Sequence, residues 1–272
     1  MTANPSTLSK SDSLTIQQLF DPENAPVAPA PTIDSNLPAD PHITDGDVLA
    51  RLKAAEVAAI SSLESQPPSA EPKDRPRIIP VDSDENQKTR AFDEAFEKLS
   101  VIVAKHGNYA SARNNRAQLL RWRYGDHETL VQPSRPQSGT GKAAAAEGIA
   151  MALEDLDTAI SLASPTTLSS AISPPQAKLL AQAWTQRGAI FWTAAKDLRS
   201  YNKSHDQTVH IVTEEHRDWD TNRFEEEASR CFFLGGNYGN EVAKALAVHA
   251  NPYARLCSGI VKEAMKREGV PT

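Results

Sequence analysis

Disulfide chemistry, membrane-spanning runs and surplus positive charge are all missing from this chain. Its two cysteines among 272 residues, Cys231 and Cys257, cannot make a disulfide framework. They read instead as buried thiols of a reducing compartment. No stretch approaches the ~20 apolar residues of a membrane span. The first apolar run is too short for a secretory signal, and an acidic leader without arginine argues against a mitochondrial presequence. Basic residues number 29 against 35 acidic ones. The imbalance lies in the first 50 residues, where Lys10 faces Asp12, Asp21, Glu23, Asp34, Asp40, Asp45 and Asp47. The balanced remainder gives no electrostatic reason to bind nucleic acid or an anionic membrane. A soluble protein of the cytoplasm or nucleus is expected, long enough to bury a core without staples.

Catalytic signatures are as scarce. Gly139-Thr140-Gly141-Lys142 hints at a phosphate loop, but Pro136 replaces its earlier glycine and Ala143 its magnesium-binding hydroxyl. A flexible linker fits it better. His205, His210 and His216 are not spaced i, i+4, and no Cys-x-x-Cys accompanies them, so they read as solvated loop histidines. No Gly-x-Ser-x-Gly elbow occurs. Glu225, Glu226 and Glu227 read as a wet helix face. The chain is expected to be no enzyme and to use neither cofactor nor metal.

Proline is abundant where structure is not expected. Residues 1–45 hold Pro5, Pro22, Pro26, Pro29, Pro31, Pro38 and Pro41 among Ser, Asp and Ala. Such a segment buries too little apolar surface to offset its ordering entropy, so it reads as a mostly disordered leader. Leu14, Ile16, Leu19 and Phe20 form one apolar island at 14–20, either a docking segment or a chance cluster.

From Thr44 onward the apolar spacing is helical. Phe92, Ala95, Phe96, Leu99, Ile102 and Val103 fall on one face of a 3.6-period helix. Ile149, Ala152, Leu153, Leu156, Ala159 and Ile160 repeat the same offsets, with Glu154, Asp155 and Asp157 on the wet side. Thr221, Phe224, Glu225, Ala228, Cys231 and Phe232 follow them more weakly. An earlier helix precedes each stripe, with Ala59, Ala117 and Gly188 in equivalent places where small residues let backbones approach. From Ala59 to Ala95 is 36 residues, from Ala117 to Ala152 is 35, and from Gly188 to Phe224 is 36. Recurring helix pairs of this kind predict an all-α solenoid.

The reading divides the chain into a repeat at 46–108 (insertion 66–88), a second at 109–164 (insertion 127–148) and a third at 177–235 (insertion 198–217). Capping helices follow at 237–267. Ser164 to Gln176 separates the last two repeats. Asn251-Pro252 opens the last helix, as an N-cap with proline at the first helical position. Tyr253, Leu256, Cys257, Ile260 and Ala264 form its apolar stripe.

Asn115-Arg116-Ala117, Gly125-Asp126 and the run Ala152 to Ile160 resemble a tetratricopeptide repeat, as does Ala183 to Gly188. The links here are about 20 residues longer than in the usual ~34-residue repeat. Asn-Pro-Tyr-Ala at 251–254 with Leu256-Cys257, Asn-Asn-Arg-Ala at 114–117 and Ala-Leu-Glu-Asp-Leu at 152–156 together resemble the tetratricopeptide repeat protein 36 family, as does Leu19-Phe20-Asp21-Pro22. That resemblance implies a non-enzymatic, co-chaperone-like adaptor, associated with the seventy-kilodalton heat-shock chaperone and linked to tyrosine metabolism.

In such a solenoid the first helix of each pair lines the concave face. The expected partner groove is Lys53, Asn114, Asn115, Gln118, Arg121, Gln182, Gln186 and Trp192. Amide side chains carry donor and acceptor together and suit a peptide backbone. Repeats that clamp a terminal carboxylate use Lys, Arg and Asn. Asn115 matches that pattern, but Glu56, Ile60, Gln182 and Gln186 depart from it. An adaptor without a carboxylate clamp is the expected function, with a regulatory or stability factor for a metabolic enzyme as the alternative.

Overall fold

The computed structural model describes residues 31–64, 82–125, 127–133, 140–167, 170–203 and 209–254. Among them lie seven helices: α1 (Gly46–Glu64), α2 (Asp82–Lys105), α3 (Ala110–Tyr124), α4 (Thr140–Ala163), α5 (Pro174–Lys203), α6 (Thr221–Asn237) and α7 (Glu241–Ala250). Two short strands, β1 (Val131–Pro133) and β2 (Val209–Ile211), pair antiparallel. A single 3-10 turn spans Glu214–His216.

Most helix starts follow from side chains that accept the first free amides. Asp45 Oδ1 accepts from Asp47 N and Val48 N at 2.9 and 3.1 Å. Ser173 and Gln176 form a reciprocal capping box around Pro174. Asp220 starts α6 by accepting from Arg223 N at 2.7 Å, and Asn240 starts α7 by accepting from Ala243 N at 3.1 Å. Asn251 Oδ1 accepts from Tyr253 N at 2.9 Å, so the expected Asn-Pro start is present. Tyr253 itself is exposed and donates to Glu226, off any apolar stripe. The rest of that stripe, with Cys257, lies outside the described residues, as does the island at 14–20.

Each helix packs on those before and after it in the chain, and α3 also touches α5. The fold is mostly helical, as the all-α reading expected. The three apolar stripes supply the core: Phe92, Ala95 and Leu99; Ile149, Ala152 and Leu156; Phe224, Ala228 and Phe232 are all buried. Ala59 and Ala117 are fully buried between helices. At Gly188 a Cβ would stand 2.9 Å from the Phe232 ring and 3.1 Å from Cys231 Cβ. The close approach inferred at that position is therefore real.

Several expectations need correction. The segments read as loops are partly ordered structure. α2 begins at Asp82, inside 66–88; α4 begins at Thr140, inside 127–148; α5 runs to Lys203, into 198–217. Asp82 to Lys88 has no apolar residue, so no periodicity marked its helix. β1 and β2 draw the second and third insertions into one ribbon, with Val131 opposite Ile211. Three-residue strands leave too short an alternation to read.

Residues 31–43 are not disordered either. Ile33 bridges Ile172 in parallel, with Asp34 N donating to Ile172 O and Ile172 N to Thr32 O, both at 2.9 Å. His42 Nε2 lies 3.0 Å from Leu162 O. The segment is a strap across the α4–α5 link.

Three of the charges assigned to water are buried and paired, while Glu154 and Asp157 are exposed as expected. Asp155 receives Arg113 at 3.1 Å and Arg116 at 2.7 Å. Glu225, 1% exposed, pairs with Arg199, and Glu227 receives Arg187 at 2.6 Å. His216 packs against Phe191, Trp219 and Phe224, and Thr213 Oγ1 lies 2.7 Å from its Nδ1. Burial lowers its pKa below the usual imidazole value. It is a core histidine, while His210 is exposed and His205 lies outside the described residues.

Candidate binding groove

Helices α1, α3 and α5 border a polar groove that contains two adjoining cavities. The first, about 310 Å³, is walled by the strap at Asp40 and Pro41, by Leu49 and Lys53 of α1, by Ser111 and Asn114 of α3, and by Lys178, Leu179 and Gln182 of α5. The second, about 190 Å³, is lined by Gln118, Arg121, Gln182, Thr185, Gln186 and Asn240. Gln182 belongs to both. Passing from the first cavity to the second, residue numbers rise on α3 and on α5 alike, so the two helices run the same way along the groove.

The floor is a pair of amides. Asn114, 2% exposed, accepts from Gln186 Nε2 at 2.9 Å. Gln186, 9% exposed, keeps its Oε1 buried with no hydrogen-bond partner. A buried acceptor left open costs about 1–3 kcal/mol relative to a satisfied one. Such an atom in a cavity wall is a place for a donor from outside. At the rim, Asn240 Nδ2 donates to Thr185 Oγ1 at 2.9 Å, and Thr185 donates to Ala181 O at 2.6 Å.

Beside the first cavity lies a closed network. Glu56 accepts from Tyr109 OH at 2.6 Å and from Asn115 Nδ2 at 2.8 Å. Burial raises the Glu56 pKa above the usual carboxylate value, and the hydrogen bonds from Tyr109, Ser111 and Asn115 oppose that shift. The Tyr109 hydroxyl is pushed well above its ordinary pKa by burial and by its bond to Glu56.

Of the eight expected groove residues, Lys53, Asn114, Gln118, Arg121, Gln182 and Gln186 line these two cavities. Asn115 does not; it is turned to Glu56. Trp192 does not either. Its ring meets Phe232 edge-on at 5.8 Å, and Lys196 Nζ caps it at 3.6 Å. Trp192 lies six residues past Gln186 on α5, which rotates it well away from the groove side. Sequence reasoning missed Ser111, Lys178, Asn240 and the strap. Nothing local ties Asn240 to Thr185.

No family model matches the chain, and no solved structure does. The L-tyrosine degradation gene cluster protein hmgX of Aspergillus fumigatus is 34% identical over 264 residues, covering 96% of this chain and 93% of that protein.

Proposed function

The chain belongs to the family of that hmgX protein, and we propose that it serves L-tyrosine degradation as a non-enzymatic adaptor built on tetratricopeptide-like helix pairs. The groove bordered by α1, α3 and α5 holds a protein or peptide partner. One observation carries this reading: Gln186, whose Oε1 is buried without a hydrogen-bond partner, lines a cavity together with Gln118, Gln182 and Asn240. The charged groups buried elsewhere support a scaffold role, because Asp155, Glu225 and Glu227 each hold an arginine in place.

A seventy-kilodalton heat-shock chaperone is one partner class that the adaptor reading admits. Contact with it does not use a terminal-carboxylate clamp, since Asn115, the residue that matches the clamp pattern, is spent on Glu56. A second reading, a stability factor for one enzyme of tyrosine degradation, draws on the gene cluster for which the relative is named.

Titration of the purified chain against the enzymes of tyrosine degradation and against the chaperone tests both. The adaptor reading expects saturable binding that falls at least tenfold in a Gln182→Ala, Gln186→Leu double variant. The stability-factor reading expects one enzyme to lose half-life in cells that lack this chain. Turnover of a small substrate by the chain alone would overturn both.

A further inference from the structure

We infer that the groove reads an extended peptide segment with an internal acidic residue. Its main chain is held at Gln186, and the acid lies three or four positions away between Lys53 and Lys178. This rests on the adaptor reading and names the kind of partner.

The argument starts from the amide floor. Gln186 lines the second cavity, spends its Nε2 on Asn114 and keeps Oε1 buried without a partner, so a small turn of the side chain would offer that acceptor to a peptide N–H. Turning both amides over together would exchange an open acceptor for an open donor. A peptide unit carries an N–H and a C=O, so it satisfies either arrangement. Around it Gln118, Gln182 and Arg121 supply further amide and guanidinium groups. Among the described residues no carboxylate lines this cavity, and its amides can pair with main chain.

The first cavity differs in kind. Leu49, Leu179 and Pro175 give it apolar walls, and Lys53 and Lys178 bring cations to it. Neither lysine makes an ion pair with a described residue. The acids nearby are engaged already. Asp40 Oδ1 accepts from His42 N and Ile43 N at 2.7 and 3.0 Å. Glu56 is buried under Tyr109 and Asn115. Lys53, whose charge also acts on Glu56, and Lys178 outnumber Asp40 in the cavity lining, so the lining is net positive and fits a side chain with a short apolar stem and a carboxylate.

Helix geometry sets the spacing. Lys178 and Gln186 are two turns apart on α5, about 12 Å. An extended chain covers that in three to four residues at ~3.3 Å each. A single peptide thus engages both cavities without a bend.

The test is selection of displayed random heptapeptides on the full chain, followed by affinities of the synthetic winners. The inference expects an acidic residue in the winners. A single N-methyl group on the peptide nitrogen three or four positions from it should cost at least tenfold in affinity. On a Lys53→Glu, Lys178→Glu double variant, both changes being at exposed positions, the selected residue should switch from acidic to basic. An unchanged acidic preference in that variant overturns the inference. So does binding that vanishes when the peptide's terminal carboxylate is amidated. If no peptide is selected but a folded enzyme still binds in a Gln186-dependent way, this inference fails and the adaptor reading survives. If neither binds, both fail.

Discussion

Gln186 and Arg187 are neighbours in α5 with opposite surroundings. Gln186 faces the groove with one polar atom open. Arg187 faces α4 and α6: it donates to Asp157 of α4 and to Glu227 of α6, each at 2.6 Å, reaches Cys231 Sγ at 3.1 Å, and lies over the Phe191 ring of its own helix at 4.7 Å. Its neighbours hold the guanidinium protonated, and burial pushes the Cys231 thiol up to about 12. One helix thus carries a fully satisfied, load-holding side and a polar side with unmet hydrogen-bonding capacity. Stability and recognition are separable here by a rotation of about 100° per residue.

The largest expected effect comes from the satisfied side. Arg187→Leu leaves Glu227 buried without its strongest partner and removes a cation from beside Cys231. Arg230 still lies 3.3 Å from Glu227, so the loss should approach but not reach the ~3–5 kcal/mol of a fully stranded buried charge. Urea unfolding should show a midpoint lowered to match, with peptide affinity of the folded fraction unchanged. A loss under ~1 kcal/mol would mean that this cluster behaves like surface charge, and the contrast would collapse.

Next in size is the close approach beside it. Gly188→Ala puts a methyl 2.9 Å from the Phe232 ring, so the ring or the helix must shift. Overpacking of this kind costs about 1–3 kcal/mol. Thermal melting of the variant checks it, and an unchanged Tm would show that α6 yields freely.

Legibility in the sequence follows the same division. The stripes through Phe92, Ile149 and Phe224 were readable because apolar side chains repeat with the helical period. Six of the eight expected residues line the two cavities, because they fall on the polar sides of α1, α3 and α5. The buried charges were not. Asp155 looks wet in a one-dimensional pattern, because Arg113 and Arg116 come from another helix and only the fold brings them to it. Glu225 and Glu227 share that fate, as does His216, whose aromatic cage includes Phe191 of α5. Trp192 was misplaced because its exposure was judged from its own helix, without Phe232 of α6. The strap at 31–43 was hidden by its prolines, since its anchors, Ile172 and Leu162, lie far along the chain.

Glu56 allows a comparison by pH. Its folded pKa is raised by burial, so the folded state holds that proton more tightly than the unfolded chain. The stability that this gives is complete below the unfolded value near 4.5 and is lost as pH rises through the folded pKa. Glu56→Gln removes the titration and keeps an acceptor for Tyr109. The variant should therefore gain on the wild type between pH 5 and pH 7, read as a difference of unfolding midpoints at the two pH values. A gap that narrows with rising pH would mean that the hydrogen bonds from Tyr109 and Asn115 outweigh burial.

The smallest stability effect should come from Gln186 itself, and it sharpens the comparison most. Gln186→Leu deletes the open Oε1 and leaves Asn114 Oδ1 without its donor. One unmet acceptor replaces another, so the two changes nearly cancel, within about 1 kcal/mol. Binding has no such compensation, because leucine offers nothing to a peptide N–H. The variant should melt close to the wild type while losing at least tenfold in peptide affinity. The Arg187→Leu variant should show the reverse. If both variants lose stability and binding together, the two sides of α5 are one coupled unit, and the groove is held in shape by the cluster behind it.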